Sequence, residues 1–164
     1  MKTTRIFIHG LESTSHGTKG EFFRKRYPDM ILEDYTGPLT QRMDKLKLLL
    51  SHETDLILVG SSYGGLMAAI YACDNEQNVK RLILLAPALH LAEFESYGNR
   101  PIRVPVVFCH GRYDDVVPPA AVYAIAVKTF SNLAYHLVDD DHSLHQTFSR
   151  MNWDDLLAPE SGRN

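Results

Sequence analysis

Short apolar runs alternate with amphipathic stretches along the whole chain. Six of the runs predict strands: Arg5 to Gly10, Met30 to Tyr35, Asp55 to Val59, Val79 to Ala86, Val104 to His110 and Leu133 to Val138. Helices are predicted between and after them. Thr18 or Lys19 to Tyr27 carries Phe22, Phe23 and Tyr27 on one face and is stopped by Pro28. Thr40 to His52 places Met43, Leu46, Leu49 and Leu50 at helical spacing, after a turn at Gly37-Pro38. Gly65 to Cys73 is apolar nearly all round, the pattern of a buried helix. Pro119 to Phe130 and His142 to Leu156 complete the set, and Ala158 to Asn164 reads as a frayed tail.

Strands alternating with helices predict a mostly parallel sheet covered on both faces, a three-layer α/β/α sandwich. The near-continuous apolar character of several strands agrees, since such strands are buried on both sides. The expected strand order is 2-1-3-4-5-6, which puts the first and third strands at the switch point where ligands bind beyond the strand ends. The His9-Gly10-Leu11 loop then lies beside the turn that ends the third strand.

The third strand ends in Gly60-Ser61-Ser62-Tyr63-Gly64, a G-x-S-x-G sequence leading directly into the apolar helix. This is the pattern of a nucleophile elbow centred on Ser62. A serine on a sharp strand-to-helix turn crowds the residues two before and two after it, and Gly60 and Gly64 have no Cβ to clash. The Tyr63 amide, at the helix N-terminus, would point toward an oxyanion forming at Ser62. A serine nucleophile needs a base, and the base needs an acid. Two later loops supply candidates in the order acid then histidine: His110-Gly111-Arg112-Tyr113-Asp114-Asp115-Val116-Val117-Pro118 after the fifth strand and Asp139-Asp140-Asp141-His142-Ser143-Leu144 after the sixth.

Composition narrows the setting. The chain has 164 residues, 45% hydrophobic and 23% charged, which suits one soluble globular domain spanning residues 1–164. A net charge of −3 with dispersed basic residues leaves no footprint for nucleic acid; Arg24-Lys25-Arg26 reads as a solvated helix end. No apolar run approaches a membrane span, and Met1 to Gly10 has no signal-peptide pattern, so the cytoplasm is expected. Cys73 and Cys109 fall inside a predicted helix and strand and read as free buried thiols.

The segments His-Gly after strand one, G-x-S-x-G after strand three, His-Gly-x-x-Asp-x-x-Val-Pro after strand five and Asp-His-Ser after strand six resemble the α/β-hydrolase superfamily over roughly Arg5 to Leu157. The small size and the opening His9-Gly10-Leu11-Glu12-Ser13-Thr14-Ser15-His16-Gly17-Thr18-Lys19 are similar to small bacterial esterase-like proteins without a cap domain. That resemblance implies Ser62 as nucleophile, Asp114 as acid, His142 as base, and the backbone amides of Leu11 and Tyr63 as oxyanion donors. Asp115 and His145 are the neighbouring rivals for acid and base. His9 and His110 read as packed, hydrogen-bonded histidines rather than metal ligands, Ser61 as a supporting hydroxyl, and Asp139 to Asp141 as a solvated loop.

In this superfamily large lids insert between strands four and five. Here that segment, 87–103, holds at most a short helix from Ala88 to Phe94 and a turn at Ser96-Tyr97-Gly98-Asn99. An open site is expected, lined by Leu11, Tyr63, Leu89, Phe94, Tyr97 and Val117, with Glu12, Lys19 and Arg112 available to a polar leaving group. The resemblance implies a serine hydrolase of carboxylic esters or thioesters with small acyl groups, acting as a monomer or homodimer with no metal or organic cofactor. A small-peptide amidase on the same residues, or a binding protein that keeps the fold without catalysis, are the alternatives.

Overall fold

The computed structural model describes residues 2–161. Six strands, β1 (Thr4–Ile8), β2 (Ile31–Leu32), β3 (Leu56–Ser61), β4 (Val79–Leu85), β5 (Val106–Gly111) and β6 (Leu133–Val138), form one sheet in the order β2-β1-β3-β4-β5-β6. Every neighbouring pair is parallel. Among the described residues five α-helices accompany them: α1 (Thr18–Arg26), α2 (Leu39–Leu49), α3 (Tyr63–Asp74), α4 (Pro119–Thr129) and α5 (Trp153–Leu156).

Alternation within the strands divides the core into two layers. Ile6, Ile8, Leu58, Leu84 and Phe108 face one side, where they meet α2, α3 and α4 through Leu46, Leu66 and Val122. Phe7, Ile57, Val59, Ile83 and Leu85 face the other, where Phe23 of α1 and Trp153 of α5 cover them. This second layer is thin and relies on aromatic packing. Trp153 lies 4.9 Å from Phe23 and 5.1 Å from Phe148, ring to ring, and its indole N–H donates to the Phe148 carbonyl. Residues 64–72 of α3 are all buried, as their apolar sequence requires.

Three elements differ from the sequence-based expectation, each for a local reason. The second strand pairs over only Ile31 and Leu32, because the chain then turns away: the Tyr35 amide donates to His9 Nε2 and the Asp34 carboxylate takes the Ser15 N–H. The expected helix from His142 to Leu156 is broken into a turn, a 3-10 turn at Phe148–Arg150 and α5. Leu144 adopts φ +53°, the Asp140 carboxylate captures the amides of Gln146 and Thr147, and Asn152 starts α5 afresh by capping the Asp155 amide. The segment between β4 and β5 holds a 3-10 turn at Ala92–Tyr97 rather than a helix from Ala88. The expected tail begins tied down, since the Leu157 and Ala158 carbonyls accept from Arg5 and Arg81; Gly162 to Asn164 lie outside the described residues.

Candidate active site

Ser62 stands between β3 and α3 at φ +55°, ψ −116°, a positive-φ conformation that a serine adopts only under constraint. The constraint is visible at the two flanking glycines. A Cβ on Gly64 would lie 2.0 Å from the Ile8 carbonyl oxygen, and one on Gly60 would lie 2.4 Å from that of Gly64. Only glycine lets α3 start this close to the end of β1, and that approach sets the serine at the lip of the sheet.

Two loops converge on it. The Ser62 hydroxyl lies 3.1 Å from His142 Nε2, and His142 Nδ1 lies 2.7 Å from Asp114 Oδ2. Because Nδ1 faces a carboxylate, it carries the ring proton, leaving the Nε2 lone pair aimed at the serine. The Asp114 side chain is fully buried. Its Oδ1 accepts the amides of Val116 and Val117, both at 2.8 Å. Burial alone would push this carboxyl up, but the His142 donor and the Val117 and Val116 amides outweigh it and hold it below the usual carboxylate range.

Asp114 has a further partner whose role the His-Gly motif did not reveal. His110, wholly buried at the end of β5, puts Nε2 at 3.0 Å from Asp114 Oδ2 and 3.2 Å from the Val117 carbonyl. Both neighbours are acceptors, so Nε2 carries the proton, and Nδ1 is left buried without a partner among the described residues. Burial pushes His110 below its ordinary imidazole value, against the opposing pull of Asp114, and keeps it neutral. His9 is a second buried, neutral histidine. Its Nε2 accepts the Tyr35 N–H at 2.9 Å, so its Nδ1–H donates to the Gly10 carbonyl at 2.7 Å, which the Ser13 amide also reaches. These bonds fix the Gly10–Leu11 peptide plane. A trans peptide directs its N–H opposite to its carbonyl, so the Leu11 amide is oriented by His9 from behind. The Tyr63 amide is the first of α3, one of the donors a helix leaves without an internal partner.

The rivals lie elsewhere. Asp115 is exposed, and His145 is bound to the Asp141 carboxylate at 2.5 Å. The three consecutive acids diverge: Asp139 pairs with Arg112, Asp141 with His145, and Asp140 is buried and ties down the chain after His142. Asp140 is therefore structural rather than solvated. Lys19 is also engaged. Its ammonium donates to the Ser143 carbonyl at 2.7 Å and sits 5.4 Å over the Phe148 ring, so α1 clamps the His142 loop. Among the cations expected to meet a leaving group, Lys19 and Arg112 thus already have partners; Glu12 is exposed. Burial pushes the Cys73 and Cys109 thiols up to about 12 and about 11, which keeps them un-ionised.

The expected pocket needs correction. Leu89 and Phe94 are 1% exposed and Val117 2%, all within the main core, and Tyr97 stacks on Phe94 with its hydroxyl on Asp74. The short segment between β4 and β5 is used to cover α3, which buries Leu89 and Phe94 and leaves Tyr97 only partly exposed. The exposed large apolar side chains on the loops that carry the candidate residues are Leu11, Tyr113 and Val116.

Residues 9–101, more than half of the chain, match the sequence profile described as alpha/beta hydrolase fold. The chain belongs to this family. Solved structures of the same fold include alpha/beta hydrolase domain-containing protein 10 from mouse (22% identity, TM-score 0.73, covering 93% of this chain and 88% of that one). Est1E from Butyrivibrio proteoclasticus is similar over 90% of this chain and 83% of its own (19% identity, TM-score 0.71). An alpha-beta serine hydrolase homologue from Coxiella burnetii matches over 94% and 82% (19% identity, TM-score 0.70). A search of curated protein sequences returned no match. For this α/β hydrolase the strand order places Ser62 beyond β3 and the Leu11 loop beyond neighbouring β1, as expected at the switch point. No helix among the described residues is long and apolar enough to cross a membrane.

Proposed function

We propose that this chain is a serine hydrolase that cleaves carboxylic esters or thioesters through an acyl-enzyme intermediate. One observation carries the reading: a serine held at positive φ on the elbow, with its hydroxyl 3.1 Å from the unprotonated nitrogen of a histidine whose other nitrogen is fixed by a buried carboxylate. In this reading Ser62 Oγ attacks the carbonyl carbon while His142 Nε2 takes its proton. The oxyanion forms between the amides of Leu11 and Tyr63, each worth about 10²–10³ in rate by analogy with other serine hydrolases. Collapse breaks the bond to the leaving group, which departs with the proton from His142. Water, deprotonated by the same nitrogen, then releases the acid and restores Ser62. Asp114 stays ionised throughout and stabilises the imidazolium. Leu11, Tyr113 and Val116 offer apolar surface to a small acyl group. The chemistry needs no group beyond these side chains and amides.

The test is labelling with a fluorophosphonate probe beside hydrolysis of short p-nitrophenyl esters, for the wild type and Ser62→Ala. Labelling and turnover in the wild type alone support the proposal. A folded wild type that takes no label favours the non-catalytic binding protein instead.

A further inference from the structure

Arg42 is a charge without a counter-ion among the described residues. It lies on α2, is 6% exposed, and its Nε donates to the Gly37 carbonyl at 2.8 Å. That is the one hydrogen bond its side chain makes among the described residues. The outer nitrogen Nη1 is buried with no partner, and no described carboxylate reaches ion-pair distance of the guanidinium. The guanidinium lies over the ring of Tyr63, 5.5 Å from its centroid, and Tyr63 is the residue that follows Ser62 in the chain.

Burying an unpaired cation is costly, and proteins as a rule pair such groups. The Tyr63 ring offsets part of the cost through its π-face but leaves the outer N–H donors unused. A planar guanidinium with free donors beside an ester-cleaving serine is the group that recognises a carboxylate. We propose that Arg42 gives the site a preference for esters carrying a carboxylate, binding that group across Tyr63 from Ser62. The inference rests on the serine-hydrolase reading for its kinetic arm and is independent of it for its binding arm.

Two substrate pairs test it and locate the charge. Acetylated 4-hydroxybenzoate against phenyl acetate puts the carboxylate on the leaving group; monomethyl succinate against dimethyl succinate puts it on the acyl group. In at least one pair the wild type is expected to favour the anionic ester in kcat/KM, mainly through KM. Arg42→Met is expected to reduce that anionic-to-neutral ratio about 10- to 100-fold, the worth of a hydrogen bond to a charged group. No anionic preference in either pair, or a preference that survives in Arg42→Met, overturns the proposal. The binding arm uses Ser62→Ala, whose Tm is expected to rise with benzoate or monomethyl succinate and not with benzamide or dimethyl succinate. Equal shifts with charged and neutral members overturn it even if no ester is ever turned over.

Discussion

His110 and His142 donate to the same oxygen of Asp114, Oδ2, at 3.0 and 2.7 Å. Oδ1 meanwhile receives two backbone amides, so the carboxylate cannot rotate without breaking several bonds at once. His142 is partly exposed, whereas His110 is wholly buried. Asp114 therefore has a partly exposed partner on the serine side and a fixed, buried one behind it.

Removing the fixed partner should loosen the acid. His110→Phe keeps the packing on Phe108 but deletes the N–H that helps hold Oδ2. The expected result is a fall in kcat of about tenfold with little change in KM, since one charge-assisted bond to the acid is lost. Steady-state kinetics on a p-nitrophenyl ester read this directly. A kcat within twofold of wild type would mean that the Val116 and Val117 amides suffice.

The two buried histidines also set how stability depends on pH. Burial lowers both His9 and His110, so in the folded chain each resists a proton that the unfolded chain accepts near its ordinary value of about 6.5. Below that pH the unfolded state binds more protons, and stability falls as pH falls, by up to about 1.4 kcal/mol per pH unit for each histidine. Above it their contribution is fully present. Urea midpoints measured from pH 7.5 down to 5 should show the decline, with a shallower slope in His110→Phe. A flat profile would contradict the neutral, buried state of both rings.

The parallel sheet was readable from the sequence because several strands are near-continuous apolar runs and all but one of the crossovers carry a helix; the elbow was readable because Gly60 and Gly64 answer a steric demand that no other residue meets. The chain after His142 was not readable as a helix end. Its break depends on the Asp140 carboxylate reaching forward to Gln146 and Thr147, and a run of three aspartates gives no sign of which one turns inward. The pocket failed for a related reason: Leu89, Phe94 and Val117 have the same composition whether they line a groove or seal a core. Arg42 carried no signal either, since an arginine on an amphipathic helix ordinarily faces water.

The neighbouring pairs of acids and bases separate cleanly by experiment. His142→Ala should lower turnover on the order of 10⁴-fold or more, and Asp114→Asn by about 10⁴-fold through loss of the correct tautomer. His145→Ala and Asp115→Asn should each stay within a few-fold of wild type, because His145 is engaged by Asp141 and Asp115 is exposed. Rates of fluorophosphonate labelling for the four variants provide the comparison. Loss of labelling in His145→Ala would reassign the base.

Gly111→Ala tests whether the two loops are held in register by close backbone approach. A Cβ there would lie 2.4 Å from the carbonyl oxygens of both Asp140 and Asp141, the residues that lead into His142. Gly111 is not at positive φ, so the substitution introduces collision without backbone strain. Something must move, and the sheet cannot: β5 is bonded on both sides. The loop after β6 should shift outward instead and carry His142 away from its 3.1 Å contact with Ser62. A displacement of about 1 Å in a reacting group costs about 10²-fold, so that is the expected loss in labelling rate, with the circular dichroism spectrum of the sheet retained. Gly98→Ala is the control, since its added Cβ meets nothing closer than 3.8 Å. Labelling of Gly111→Ala at the wild-type rate would show that the His142 loop absorbs the collision without moving the imidazole.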